Sequence, residues 1–260
     1  MRIASMGHAV FSTTMIGLGI VGLLYPDFVP MWNPFPASVP ARELFLYLGA
    51  LISLMSGIGL LVPRLAPVAA RLLVATLLLW LLLFRLPNFL HEPLFAACWT
   101  VFPLAVMLAA AWVLYVWFAA DWDRKHLGLV SSDNGLRIAR RLYGLSLIFF
   151  GMAHFLAVQA TTPLVPNWLP AHVFWAYFTG STFIAAGVAV LSGLYARLAA
   201  ALSTLQIGLF LLLVWIPIVA AGSKVPFQWS ETIFNMALLA SAWVIADSYR
   251  NTPWLATNNR

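Results

Sequence analysis

The side chains equipped to do chemistry are few in this 260-residue chain, and the most telling of them sit in its second half. His154 and His172 each offer an imidazole, which exchanges protons near neutral pH and ligates metals. Glu231 adds a carboxylate, and Asn235, four residues on, shares its helical face. Trp168 and Trp229 supply flat indoles that can stack on, or line a pocket for, an aromatic ligand such as a quinone head. A quinone needs protons as well as electrons, so Glu231 or His154 beside one would take up or release a proton. Each residue also has a plainer reading. Glu231 near a helix N-terminus would cap free amides, the two histidines would bond backbone carbonyls, and the tryptophans would sit at headgroup depth.

Other cofactors fit less well. Two axial haem ligands require two imidazoles facing each other from adjacent helices, so haem b on His154 and His172 is the lesser option beside a quinone. A metal site needs three or four converging ligands. His154, His172 and Glu231 reach three at most, and no metal is expected. A second polar group, Arg85, His91 and Glu92, reads most simply as snorkelling and headgroup contacts, in the company of Asp27, Arg42 and Glu43. The single cysteine, Cys98, excludes an intramolecular disulfide. No Walker loop, GxGxxG after a strand, HExxH or GxSxG is present, which leaves ATP hydrolysis, Rossmann-type nicotinamide binding and zincin proteolysis without support.

The elements that must position these groups are set by composition. Only 8% of residues are charged and 63% are hydrophobic, and the mean hydropathy is +0.92. A soluble domain carries about 25% charged residues, so this chain cannot hydrate a surface, and an all-α polytopic membrane bundle is expected. Eight apolar runs are long enough to span roughly 30 Å of hydrocarbon: Val10–Tyr25, Leu44–Val62, Val68–Phe84, Trp99–Phe118, Leu142–Val158, Val173–Leu191, Leu198–Ala221 and Thr232–Ala246. Helices follow because a lipid-exposed backbone must satisfy its own hydrogen bonds. Pro26 follows the first run, Pro63 and Pro67 bracket the second turn, and Pro87 is expected to end the third. Met1–Tyr25 reads as a retained helix rather than a signal peptide, since no small-residue cleavage motif follows it.

Eight spans put both termini and loops 2–3, 4–5 and 6–7 on one side. That side holds eleven basic residues (Arg2, Arg64, Arg71, Arg124, Lys125, Arg137, Arg140, Arg141, Arg197, Arg250, Arg260) against three (Arg42, Arg85, Lys224) on the other. Positive charge stays inside, so the termini are expected in the cytoplasm and, in a bacterium, the protein in the inner membrane. The net charge of +6 is scattered between apolar runs and is no nucleic-acid stripe. The candidate site then lies at the outer face.

The chain also repeats itself at about 130–136 residues. Arg2-Ile3-Ala4 returns as Arg137-Ile138-Ala139, Pro30-Met31-Trp32 as Pro166-Asn167-Trp168, Gly49 as Gly180, Arg64-Leu65-Ala66 as Arg197-Leu198-Ala199, and Pro87 as Pro217. Trp99 and Trp112 match Trp229 and Trp243. Residues 1–120 and 136–260 thus form two four-helix membrane repeats of like orientation, joined by a polar cytoplasmic linker at 121–135.

The second repeat resembles the DoxX-like integral membrane proteins. Arg141, Gly144, Phe149-Phe150-Gly151 and His154-Phe155 are similar to that family's opening helix. Pro166-Asn167-Trp168-Leu169-Pro170, with Trp175, Tyr177 and Gly180, resembles its loop and second helix. Arg197-Leu198-Ala199 resembles its basic turn, and Trp229-Ser230-Glu231 with Asn235 its last helix. The first repeat resembles the same unit more faintly and has no counterpart of His154 or Glu231. The resemblance implies a small membrane bundle. Some members are subunits of thiosulfate:quinone oxidoreductase or other membrane redox assemblies, while more distant relatives are chaperones or cargo receptors. The expectation is therefore a quinone-linked membrane subunit or accessory factor, surrounded by membrane lipids and served by a membrane or periplasmic redox partner. The alternative is a non-catalytic scaffold, chaperone or lipid- or solute-handling protein, with a secondary transporter third.

Overall fold

The computed structural model describes residues 4–26, 32 and 39–257. Arg2-Ile3, Asp27, Pro30-Met31 and Arg260, singled out above, lie outside the described residues. Within them every regular element is helical. Eight long helices dominate: α1 (Met6–Leu24), α2 (Arg42–Leu61), α3 (Ala66–Leu90), α4 (Leu94–Phe118), α5 (Asp133–Leu156), α6 (His172–Ser192), α7 (Ala196–Ala220) and α8 (Pro226–Ser248). Seven of them are long and apolar enough to cross a membrane. The count rises to eight when α5 is taken together with the segment Val158–Leu164, bent from it by 87°.

The helices outrun the apolar runs that announce them. Helix α5 starts at Asp133 rather than Leu142, and α8 at Pro226 rather than Thr232. Their first turns are polar, so hydropathy alone assigns them to loops. A charged turn is nonetheless an adequate helix former, and Pro at the first position is favourable. In α1 the Ser5 hydroxyl caps the helix by accepting the His8 amide at 3.0 Å.

Pro87 does not end α3. A proline removes one N–H and crowds the carbonyl four residues back. Just before it, Leu81–Arg85 opens into a π-helical turn in which the Leu86 amide bonds the Leu81 carbonyl, and Leu86–Leu90 then tightens into a 3-10 turn. Helix α7 uses the same device: Leu211–Trp215 is π-helical, with the Ile216 amide on the Leu211 carbonyl, directly before Pro217.

Helices consecutive in sequence pack side by side, α1–α2–α3–α4 and α5–α6–α7–α8. The two series meet through α4 on α5, α1 on α8, and α4 on α8. Helix α4 is the core. It is 72% buried over its apolar window, whereas α7 is 22% buried. It is apolar all round, and its Ala105, Ala109, Ala110 and Ala111 let neighbours approach closely.

Polar contacts fix which ends lie together. The Arg250 guanidinium donates to the Ala4 carbonyl at 2.9 Å, the Gly7 amide to Asp247 at 2.8 Å, and Arg197 to the Thr252 carbonyl at 2.8 Å. Arg71, in the first turns of α3, pairs with Asp123 of the linker at 2.7 Å. The described chain ends, the linker and the α2–α3 and α6–α7 turns therefore share one end of the bundle, here the terminal end. The remaining connections lie at the distal end. The linker is itself ordered as two short helices, Asp121–His126 and Gly128–Ser131.

Candidate functional site at the distal end

His154 lies in the last turn of α5, half-buried, where α5 crosses α6. The crossing is close because it is built on glycines. A Cβ on Gly180 would meet the His154 Cβ at 2.8 Å, and one on Gly151 would collide with the Gly180 carbonyl and Ile184. The imidazole then joins a three-ring cluster with Phe183 of α6, tilted with ring centroids 5.6 Å apart, and Phe210 of α7, stacked at 5.8 Å, the two phenylalanines themselves meeting edge to face at 5.8 Å. Its Nδ1 bonds the Phe150 carbonyl at 2.7 Å. A carbonyl only accepts, so Nδ1 carries the hydrogen, and Nε2 of the neutral ring is an acceptor. Nε2 has no hydrogen-bond partner among the described residues and is not sealed from the surroundings. On the same helices Thr182 donates to the Gln206 oxygen at 2.8 Å, and the Gln206 amide donates to the Thr179 carbonyl at 2.9 Å.

The other candidates are not drawn into this cage. His172 is the first residue of α6, next to Ala171 in the left-handed region at φ 57°. Trp168 is 69% exposed and Trp229 42% exposed, the latter donating its indole N–H to the Ser223 carbonyl at 2.9 Å. Glu231 is half-buried in the second turn of α8. That helix opens five residues earlier at Pro226, so Glu231 is too deep to cap it. Asn235 is buried and reaches back to the Glu231 backbone carbonyl at 3.4 Å. No hydrogen bond or ring contact joins His154 to His172, Trp168, Trp229 or Glu231 among the described residues. Nor do three or more His, Cys, Asp or Glu side chains converge there as a metal would require.

Arg85 requires a correction. It does not snorkel: on the π-helical turn of α3 it is 1% exposed. The turn projects it inward, and on the same helix Trp80 and Phe84 pack edge to face at 4.9 Å. Trp32, matched to Trp168 in the repeat, is 1% exposed, set edge-on to Trp80 at 4.6 Å and seated on Gly49. His91 and Glu92 are exposed in the α3–α4 turn.

Compared with known protein families, with curated proteins and with solved structures, the chain gives no match in any of the three. Its site is therefore interpreted from its own geometry.

Residues that sequence reasoning passed over complete the picture. Phe183 and Phe210 are ordinary apolar residues in sequence, and only the packing of α5, α6 and α7 gives them a role. At the terminal end, Asp123 is fully buried. It is paired with Arg71 and accepts the Tyr115 hydroxyl at 3.1 Å and the Ala120 amide at 3.1 Å. Its signal is the acidic and basic run Asp121–His126 of the polar linker. His8, in α1, is fully buried: Nδ1 accepts the Ala4 amide at 3.2 Å and Nε2–H donates to the Leu60 carbonyl at 3.0 Å. With both nitrogens satisfied by backbone, His8 ties α1 to α2.

Proposed function

We propose that this chain is an eight-span integral membrane protein, two like-oriented four-helix repeats of DoxX-like type. Its distal end binds an aromatic quinone-type head as part of a membrane redox system, as a subunit or accessory factor. The observation that carries the ligand reading is the His154 imidazole, clustered with Phe183 and Phe210 with one nitrogen left to bond. Aromatic walls hold a flat apolar ring, and one aimed polar atom orients it. The head's oxygen would meet Nε2, which can exchange a proton with it, while electrons would come from a partner protein.

The repeat reading is supported by a constant spacing. Ala41 and Ala171, both in the left-handed region before a helix, are 130 residues apart. So are the starts of α3 and α7 at Ala66 and Ala196, the π-helical turns, and Pro87 and Pro217. At that spacing Ala66 answers to Ala196, and the pairing of Arg64 with Arg197 falls three residues out of step. The helix neighbours also correspond, α4 on α5 answering to α8 on α1. An even number of spans per repeat and the basic excess at the terminal end favour cytoplasmic termini and, in a bacterium, the inner membrane.

The test is to purify the protein in mild detergent, record its absorption spectrum, extract bound quinone and titrate a short-chain benzoquinone by calorimetry. Co-purifying quinone or saturable binding is expected. No quinone, no binding and no redox partner on pull-down would overturn the reading. The aromatic packing of His154 with Phe183 and Phe210 favours one competing role, a non-catalytic scaffold. On that reading, replacing His154, His172 and Glu231 together leaves function intact.

A further inference from the structure

Two histidines of the bundle, the buried His8 and the half-buried His154, differ in their hydrogen bonding. His8 spends both ring nitrogens on backbone, whereas His154 spends only Nδ1. We propose that the distal site discriminates by oxidation state, holding the hydroxyl-bearing hydroquinone form of its aromatic head more tightly than the carbonyl-bearing quinone. This inference rests on the reading of the site given above.

The Phe150 carbonyl fixes the tautomer, because it bonds only a nitrogen that carries hydrogen. A neutral imidazole has one such nitrogen, so Nε2 presents a lone pair. Turning the ring over would break the Nδ1 bond, and Phe210, stacked at 5.8 Å, with Phe183 tilted beside both rings, restricts its plane. A hydroquinone O–H donates to that lone pair. A quinone carbonyl, itself only an acceptor, would set two lone pairs against each other. The Gln206 amide, one turn before Phe210 on α7, does not offset this: its oxygen takes Thr182 and its nitrogen serves Thr179. Discrimination of this kind follows the rule that a polar group lacking its complement rejects the mismatched ligand.

The experiment uses the full-length protein in detergent, anaerobically at pH 8, above the ordinary histidine value of about 6.5. A short-chain hydroquinone, its quinone and its dimethyl ether are each titrated by calorimetry. The dimethyl ether keeps both oxygens but cannot donate. The hydroquinone is expected to bind about three- to tenfold tighter than either of the others, the span of one neutral hydrogen bond. The preference should vanish in His154→Phe and persist in part in His154→Gln, whose amide oxygen still accepts. The Gln variant decides the matter if the Phe variant does not fold. Equal or tighter binding of the quinone to the wild-type protein, or a preference surviving in a folded His154→Phe, would overturn the discrimination and leave the aromatic-head site standing. Binding of none of the three would overturn both.

Discussion

At Asp123 burial works against the charge, but the Arg71 guanidinium, the Ala120 amide and the Tyr115 hydroxyl converge on the carboxylate and hold it below the usual carboxylate range. The native value thus lies under the unfolded one of about 3.9. The resulting stability is complete above that value and is lost as pH falls through the lowered native one. Asp123→Asn is expected to destabilise by about 1–3 kcal/mol at neutral pH, the cost of leaving charge-assisted partners poorly matched. Between pH 6 and pH 3 the thermal midpoint of the wild-type protein should fall towards that of the variant. Unchanged separation of the two curves across that range would show that the carboxylate contributes nothing. His8→Ala strands the Ala4 amide and the buried Leu60 carbonyl. A loss of about 1–3 kcal/mol in detergent unfolding is expected, with aromatic-head binding unchanged.

At the scale of elements, the α5–α6 crossing depends on the absence of side chains. Gly151→Ala would press a methyl into the Gly180 carbonyl, and overpacking of this kind costs about 1–3 kcal/mol. Gly17, on α1, faces open space. Gly17→Ala should therefore be neutral or stabilising by up to about 1 kcal/mol, through helix propensity. Thermal melts of the two variants side by side check the contrast, and equal effects would mean that the crossing is not close. The small residues in these helices were legible in the sequence, but which of them meet a neighbour was not. Long apolar runs located the helices because lipid leaves the backbone no other arrangement. Their ends stayed hidden, since Arg137, Arg140 and Arg141 look like loop to a hydropathy reading yet stand inside α5. Pro87 looked like a stop because sequence does not display the π-helical turn that absorbs it. His154 stood out as a polar residue in an apolar run. Its partners Phe183 and Phe210 did not, because nothing in a phenylalanine's local sequence says which ring it will touch across two helices. Arg85 misled for a related reason: a charge near a helix end snorkels by default, and only the wider turn sends it inward.

For the whole molecule, the governing fact is a surface that water cannot cover. Helices α3, α6 and α7 leave most of their apolar length unburied by protein, at 33%, 28% and 22% buried, which suits them to face lipid while α4 and its alanines fill the centre. The contacts of Arg250 with Ala4, Asp247 with Gly7 and Arg71 with Asp123 bring the described chain ends and the linker to the same end of the bundle. If that bundle spans a bilayer as two like-oriented sets of four helices, all three must be reached from the same side. Cys98 is the single cysteine, and it is buried. With Cys98→Ala as background, single cysteines at Ser132, Thr257 and Gln159 can be probed with a membrane-impermeant maleimide in intact and permeabilised vesicles. Ser132→Cys and Thr257→Cys are expected to react from one common side, and Gln159→Cys only from the other. Reaction of the positions 132 and 257 from opposite sides would contradict the two-repeat membrane bundle outright.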